Sequence, residues 1–533
     1  MIGQHLKNNT TTSKRNYVYW AESILIYSVV IFAFVFLSFY YKEMMPYKQG
    51  DTAFLVEVLS NISNGSRAIS QILTQNDIEI KLARANLDIY CDQANIATKQ
   101  FFDPYNVLTL HAYTILFLVA PITHLIGALN TLSVLTALSF ISVPLIAYIY
   151  LRRHKASILI VLLATLVCIS HPAWQISGIG QFYVDRLFIP FALLYTLLLE
   201  NYLTAKQGGG NSLMLLMITI FAGFMGGLTS ERNMLVVGLF TASYMLISRT
   251  QWRKKIFLAA FSLTCFTYVL LYMHFLGGTP DNTQVQGALI NLPTIVRAVT
   301  RAGVGEYLLF NLTLLVLPAI FVPRIFFSVL PLILINCLIT VGGAEKNGWA
   351  THYHCHYYGF LIASFLIAVA KINDSFHEKL SGFINKFLSP ILGCIILLFW
   401  IATEHFYGGQ GVFLSLWDYY GRPEVLSASR TEKSMFDKIA AKVPPGVTVT
   451  TTEWGMTVWY LRGNTVNVFP VGVGLNDYVM VQVEGKMPNL NILSAVRYKP
   501  DAKLANACIS SVIIKEYKEV LRQGTWALFK KST

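Results

Sequence analysis

The stretch "NGWATHYHCHYY", residues 347 to 358, spaces His352, His354 and His356 two residues apart among Tyr353, Cys355, Tyr357 and Tyr358. Imidazoles ligate metals, move protons and hydrogen-bond to anions. On a helix, His352 and His356 share a face and His354 points away; on a strand all three share one. A zinc site takes three or four ligands with partners behind them. The one carboxylate close by is Glu345, a shortage that disfavours an isolated zinc centre. The other reading makes the stretch the polar mouth of a larger site.

Further candidates stand where apolar runs start or stop. Asp51 follows Gly50, beyond the first run. Asp103 precedes Pro104, so a helix N-cap and a ligand contact are both open. Asp185 and Arg186 lead into an apolar run, and a salt-bridged helix end stands level with a substrate role. Glu231 and Arg232, in "TSERN", tip a tight connection between two short runs, where charges are costly unless paired. Arg232, Arg297, Arg301 and Lys346 are basic groups that suit an anion; Arg297 and Arg301 also read as one face of an amphipathic loop helix. Glu57 falls on a different helical face from Asp51 and reads as structural. Neither GxxxxGK[ST] nor a sound GxGxxG is present, so no nucleotide-cradling loop is expected.

The elements that position these groups are apolar. The chain has 533 residues, 54% of them hydrophobic and 13% charged, where a soluble domain carries roughly 25% charged residues. Mean hydropathy is +0.52. Uncharged runs such as "ILIYSVVIFAFVFLSFYY" approach a bilayer thickness. Twelve apolar segments read as helices: 20–41, 107–127, 130–151, 156–171, 185–203, 212–228, 233–248, 256–276, 306–322, 325–341, 357–371 and 387–403. The first follows a polar lead and is too long for a signal peptide, so it is expected to be a retained membrane helix. Seven cysteines without a CxxC pair argue against a disulfide framework or zinc finger.

If all twelve segments span, the basic loops alternate sides. If 107–127, interrupted by His111, Pro121 and His124, lies at the interface or re-enters, eleven spans remain. The basic groups of the N-terminus (Lys7, Lys14, Arg15), Arg152–Lys155, Lys206, Arg249–Lys255, Arg324 and Lys371–Lys386 then share one side, expected to be cytoplasmic. The net charge of +13 therefore reads as topology rather than nucleic-acid binding. The outer side receives a long first loop, 42–129, the polar connections named above, and everything after about residue 404. Ionisable groups gathered at one face suggest chemistry at the outer surface rather than transport through the membrane.

Residues 1–403 are thus expected to form a transmembrane domain and 404–533 a small outer α/β domain. "TEKSMFDKIAAKV" reads as a helix, and "VTVTTT", "NTVNVFP", "DYVMVQV" and "CISSVIIKEY" as strands.

Several of these pieces resemble GT-C glycosyltransferases. They are a first helix, then "YKQGDTAFLVEV" opening a long outer loop, then "FFDPYNVLTLHAYTILFLVAPITHLIG". "LTSERNMLVVGLFTASYML", "THYHCHYYGFLIASFLIA" and the tail "KIAAKVPPGVTVTTTEW…VNVFP…DYVMVQ" are similar to a little-characterised bacterial family of multi-pass GT-C-like proteins. O-antigen-modifying glucosyltransferases of lipopolysaccharide share the layout. The resemblance implies a polytopic helical fold in the bacterial inner membrane, with its active site and C-terminal domain on the periplasmic side. It implies a sugar donor on polyprenyl phosphate and a glycan, lipid or protein acceptor in the cell envelope. It implies inversion, with Asp51 at the position of the base. Such transfer needs groups that offset charge on the sugar and hold the leaving phosphate. Beside Asp51, the candidate substrate contacts are Asp103, Asp185, Arg186, Glu231, Arg232, Lys346, His352, Tyr353, His354 and His356. Trp174, Tyr183, Trp349, Tyr353 and Tyr358 become sugar-stacking candidates beside a plain role as interfacial anchors. The one cofactor it leaves open is a divalent cation, Mg or Mn, which prefers carboxylate-rich oxygen ligands. The alternatives are a polymerase or ligase using a lipid-diphosphate glycan, which would favour outer arginines, and a transporter or flippase of lipid-linked sugar, which would need a charged cavity near the midplane.

Overall fold

The computed structural model of the chain describes residues 2–47, 51–72, 105–109, 111–170, 174, 183–205, 211–275, 314–338, 354–379, 390–398, 401, 423–452, 455–493 and 502–532. Asp103, Lys346, His352 and Tyr353 lie outside them, as do Arg297, Arg301, Glu345 and Trp349, and so does the side chain of Asp51.

Helices dominate. In chain order they are α1 (Ile2–Met44), α2 (Asp51–Ser63), α3 (Ile115–Ile126), α4 (Ala128–Arg153), α5 (Ile158–Ser170), α6 (Phe188–Thr204), α7 (Asn211–Gly227), α8 (Glu231–Ile247), α9 (Trp252–Phe275), α10 (Pro323–Leu338) and α11 (Cys355–Lys379). Five are long and apolar enough to cross a bilayer: Trp20–Met44, Ala128–Arg153, Val184–Thr204, Trp252–Phe275 and Cys355–Ser375. They point to lipid as the environment of this half of the protein. The eleven expected spans are not reached among the described residues. Thr52–Ser63, Ile115–Ile126, Ile158–Ile169, Ser212–Gly227 and Pro323–Ile333 are apolar but shorter than the roughly 20 residues that 30 Å of hydrocarbon requires.

The 107–127 segment shows why hydropathy alone overcounts. Its first part is a short 3-10 turn, Val107–Thr109, and an irregular stretch. Only twelve residues become α3, about 18 Å of helix. Gly127, at φ 85°, then reverses the chain into α4, a conformation that costs glycine little.

Burial separates the spans. The apolar window of α11 is 94% buried and that of α1 is 0% buried, so α11 is the central helix and α1 a peripheral one resting on α4. Close approach lets α11 take its place. A Cβ at Gly359 would stand 2.5 Å from the Ile189 carbonyl oxygen and 2.6 Å from Ala192 Cβ, so glycine sets the α6–α11 distance.

One end of the bundle is knit by basic groups. Arg152 meets Glu22 at 2.8 Å, His154 meets Asp374 at 2.7 Å, and Lys371 meets Glu200 at 3.1 Å. Lys254 donates to the carbonyls of Tyr202, Leu203 and Ala205, closing the C-terminus of α6 where acceptors are left over. The loops carrying Arg152–Lys155, Arg249–Lys255 and Lys371 therefore gather at a single end.

The C-terminal region holds α12 (Pro423–Ala440), β3 (Thr448–Thr451), α13 (Met456–Leu461), β4 (Thr465–Val468), β5 (Tyr478–Glu484), β6 (Asn491–Ile492), α14 (Ala502–Glu516), β7 (Tyr517–Gln523) and β8 (Trp526–Lys531). The sheet order is β4-β3-β5-β8-β7, with β6 paired to β5. β3 runs parallel to β4 and β5, and β8 antiparallel to β5. Strand alternation splits the sheet into two apolar faces. Tyr478 and Met480 of β5, with Trp526 and Leu528 of β8, join one core with Tyr41, Tyr47, α2, α3 and the start of α4. Val479, Val481, Val483, Ala527 and Phe529 form the other core beneath α14. Tyr47 donates to Asp437 at 2.7 Å and Lys433 pairs with Glu43, so α12 is fastened to the end of α1.

One expectation needs correction, and two features go beyond the sequence reading. "CISSVIIKEY" is helical through Glu516, because Ile509 and Ile513 stack one turn apart against the sheet; the strand starts only at Tyr517. The long first loop contains α2 and a two-stranded ribbon, β1 (Ile69–Ser70) with β2 (Tyr105–Asn106). Cys508 is disulfide-bonded, where cysteine spacing argues only against a disulfide framework.

Candidate functional site

The α7–α8 turn assembles the site. Ser230 caps α8 by accepting from the Asn233 backbone N–H at 3.3 Å, which sets Glu231, Arg232 and Asn233 in the first turn. The polar lead of α3 is tied to the same turn. The Ile115 N–H and the Thr114 hydroxyl both donate to the Leu228 carbonyl, at 2.9 and 3.1 Å, and Thr114 also meets Tyr268 at 3.0 Å.

Glu231 is held from three directions. His111 Nδ1 lies 3.1 Å from Oε1, the Ala112 N–H donates to Oε2 at 2.9 Å, and Arg232 Nε stands 3.8 Å away. Burial alone would raise its carboxyl. The His111 bond and charge, Arg232 and the Ala112 N–H outweigh that and hold it at about 2. The N-terminus of α8 also favours a negative group. Glu231 is a fixed anion, and a base this weak is better suited to orienting its neighbours than to taking a proton.

Asn233 forms the second part. Its side chain is buried and donates to Asp185 Oδ1 at 3.0 Å and Thr229 Oγ1 at 2.8 Å, while its oxygen faces His356 Nδ1 at 2.6 Å. Asp185 comes from a 3-10 turn, Val184–Leu187, that leads into α6. Its neighbour Arg186 turns the other way. The Arg186 guanidinium lies 3.4 Å from the Phe140 ring centroid and donates to Ser139 at 2.9 Å. Phe140 in turn stacks on Tyr41 at 5.8 Å and meets the edge of Trp174 at 4.8 Å. A cation against an aromatic face is stabilised by the ring quadrupole.

The structure thus brings together Asp185, Glu231, Arg232 and His356, while Arg186, next to Asp185 in the chain, engages Phe140 and Ser139. Asp185 and Arg186 do not close a salt-bridged helix end on each other; they engage Asn233 and Phe140. His354 stands immediately before α11 and is fully buried, with Nδ1 3.0 Å from Tyr357 Oη. From His354 onward the histidine stretch is helical, so the strand geometry does not apply there. His354 and His356 are interior groups rather than an open mouth. Tyr358 is also turned inward, donating to the Cys168 carbonyl, so it cannot stack on a ligand.

Asp51 begins α2, which packs along α3. Glu57 is structural, as read: it accepts from Ser70 at 2.6 Å and from the backbone of Gln71 and Ile72 at 3.1 Å each. Burial raises its carboxyl despite these bonds. Among the described residues no group of three or more His, Cys, Asp or Glu side chains could hold a metal ion.

Two members, His111 and Asn233, were not chosen as site residues from the sequence; His111 was noted only as an interruption of the 107–127 run. The signal for Asn233 was its place in "TSERN", a polar residue one turn inside an apolar helix. For His111 it was a histidine in the polar lead to a short helix.

No protein-family model matches the chain, and no curated protein matches it.

Proposed function

We propose that the protein is an inverting glycosyltransferase of the GT-C type. It moves a sugar from a polyprenyl-phosphate donor to a cell-envelope acceptor at the membrane face opposite the basic end. The observation that carries this reading is the cluster of His111, Glu231, Arg232, Asn233, Asp185 and His356. It joins fixed negative charge, imidazole and guanidinium at the ends of apolar helices, where a lipid headgroup would lie.

The chemistry needs these parts. The acceptor oxygen forms a bond to the anomeric carbon as the carbon–oxygen bond to phosphate breaks. The acceptor proton passes to a carboxylate, which the GT-C resemblance assigns to Asp51. The departing phosphate needs positive groups and N–H donors, and Arg232 is the described candidate. Glu231 keeps His111 and the lead of α3 in place. A disulfide at Cys508 supports an oxidising compartment for the tail, in keeping with an outer orientation on the bacterial inner membrane.

The test is transfer in nanodiscs from polyprenyl phosphate carrying a radiolabelled sugar to envelope glycolipid. Loss of base catalysis in Asp51→Asn should lower the rate by about 10²-fold or more. Normal transfer by Asp51→Asn would remove Asp51 as the base, and no transfer by the unaltered protein from any such donor would overturn the reading.

A further inference from the structure

The charges at the basic end of the bundle do not balance. Its described carboxylates are taken: Glu22 by Arg152, Asp374 by His154, and Glu200 by Lys371 and Tyr244. Arg249, Arg253 and Arg324 are exposed and Lys255 is half-buried, and none of the four meets a carboxylate among the described residues. Packing brings them to one place. Arg249 follows the last turn of α8, and Arg253 and Lys255 stand in the first turn of α9, which packs along α8. α10 packs on α8 as well. The charge of Arg324, in the first turn of α10, bears on Tyr244 in the last turn of α8. Neither first turn holds an acidic residue. Cations there face the positive end of their own helix dipole, which opposes them. Like charges gathered in this way attract an anion from outside the chain.

The apolar surface beside these cations says what kind of anion fits. Arg253 stands four residues before exposed Phe257 in α9, and Arg324 three residues before exposed Phe327 in α10. At those spacings each pair shares a helix face. Trp252 is exposed too, with the Arg253 guanidinium 5.8 Å from its ring centroid, and tryptophan suits the level of lipid headgroups. A free phosphate has no use for Phe257 and Phe327. A phospholipid uses both parts, its phosphate against the cations and its acyl chains along the rings. We propose that the basic ends of α8, α9 and α10 form a docking surface for anionic phospholipid headgroups. The Glu231 cluster lies at the other end of α8, a helix of 17 residues and so about 25 Å long. Lipid held at this surface is therefore not the sugar donor, and the inference does not rest on the glycosyltransferase reading.

Spin-labelled lipids in phosphatidylcholine vesicles carrying the full-length protein test this surface. The unaltered protein should hold spin-labelled phosphatidylglycerol at least about fivefold more strongly than spin-labelled phosphatidylcholine, the scale of one cation near an anionic headgroup. Arg249→Gln, Arg253→Gln, Lys255→Gln and Arg324→Gln together should bring that preference below about twofold. Arg249→Lys, Arg253→Lys and Arg324→Lys together keep the charges and should keep the preference. Lys486→Gln with Lys518→Gln removes exposed charge from the C-terminal region and should leave it unchanged. In the unaltered protein, about 0.5 M salt should at least halve the preference by screening, a readout that no folding defect in a variant can imitate. Equal retention of the two lipids by the unaltered protein would overturn the proposal. So would a full preference in the fourfold Gln variant, or an equal loss in the Lys486 and Lys518 pair. Release of phosphatidylglycerol by about 10 mM inorganic phosphate at constant ionic strength would overturn the lipid assignment in favour of a free anion.

Discussion

Replacing Glu231 with Gln keeps the shape of the side chain and removes its charge. The carboxyl is held at about 2 against an ordinary 4.5. At about 1.4 kcal/mol per pH unit, the ionised form gains about 3 kcal/mol from its surroundings. Glutamine can still accept from the Ala112 N–H, so the expected net loss is about 2 kcal/mol, within the range for hydrogen bonds to charged groups. The pH dependence carries the sign. A carboxyl whose folded value is depressed stabilises the fold fully above its unfolded value and loses that contribution as pH falls toward the folded one. The unaltered protein should therefore weaken between about pH 4.5 and 2 by more than Glu231→Gln does. Equilibrium unfolding in micelles across that window measures both quantities. A loss under about 0.5 kcal/mol, or parallel pH profiles, would refute the account of Glu231 as a fixed anion.

Two other perturbations follow from the packing. Gly359→Ala puts a methyl group 2.5 Å from the Ile189 carbonyl oxygen, so α6 and α11 must move apart. The expected cost is about 1–3 kcal/mol, read as a lower melting temperature in micelles, and an unchanged melting temperature would mean the crossing yields freely. Tyr47→Phe deletes the 2.7 Å bond to Asp437 and should cost about 1 kcal/mol. Hydrogen exchange in α12 should quicken; exchange that stays the same would mean the Lys433–Glu43 pair and the apolar core hold α12 without it.

The sequence made the helices legible because long apolar runs leave few alternatives. The runs read at 130–151, 212–228 and 233–248 correspond to α4, α7 and α8 within a few residues. The strands at "VTVTTT" and "DYVMVQV" were equally plain from their alternation. α2 was treated as helical only in comparing the faces of Asp51 and Glu57, and its burial was not readable because it comes from α3 and α13. α14 was misread because Val512, Ile513 and Ile514 have strand-forming side chains, and only the sheet beneath supplies the reason for a helix. In the site, Asp185, Glu231 and Arg232 were chosen as charges at run ends and His356 as part of the histidine stretch. Their partners were not readable: His356 meets a residue 123 positions away and Glu231 one 120 positions away. Nothing local to "THYHCHYY" indicates that His356 is backed by an asparagine, and nothing in its spacing indicates that Tyr358 reaches Cys168.

The sheet face shared with α1–α4 bears on how the chain is assembled. Tyr41, Phe54, Leu55, Leu59 and Leu132 owe their burial partly to Phe436, Trp459, Met480 and Leu528, which follow them by some three hundred positions or more. During synthesis the early helices can reach the bilayer long before their partners exist. The ends of those helices that carry this core must wait with apolar surface uncovered, in reach of other chains. A protein cut short before α12 would carry that wet apolar face permanently. Such truncations should therefore fail in the cell by aggregation or degradation, even with every membrane helix present.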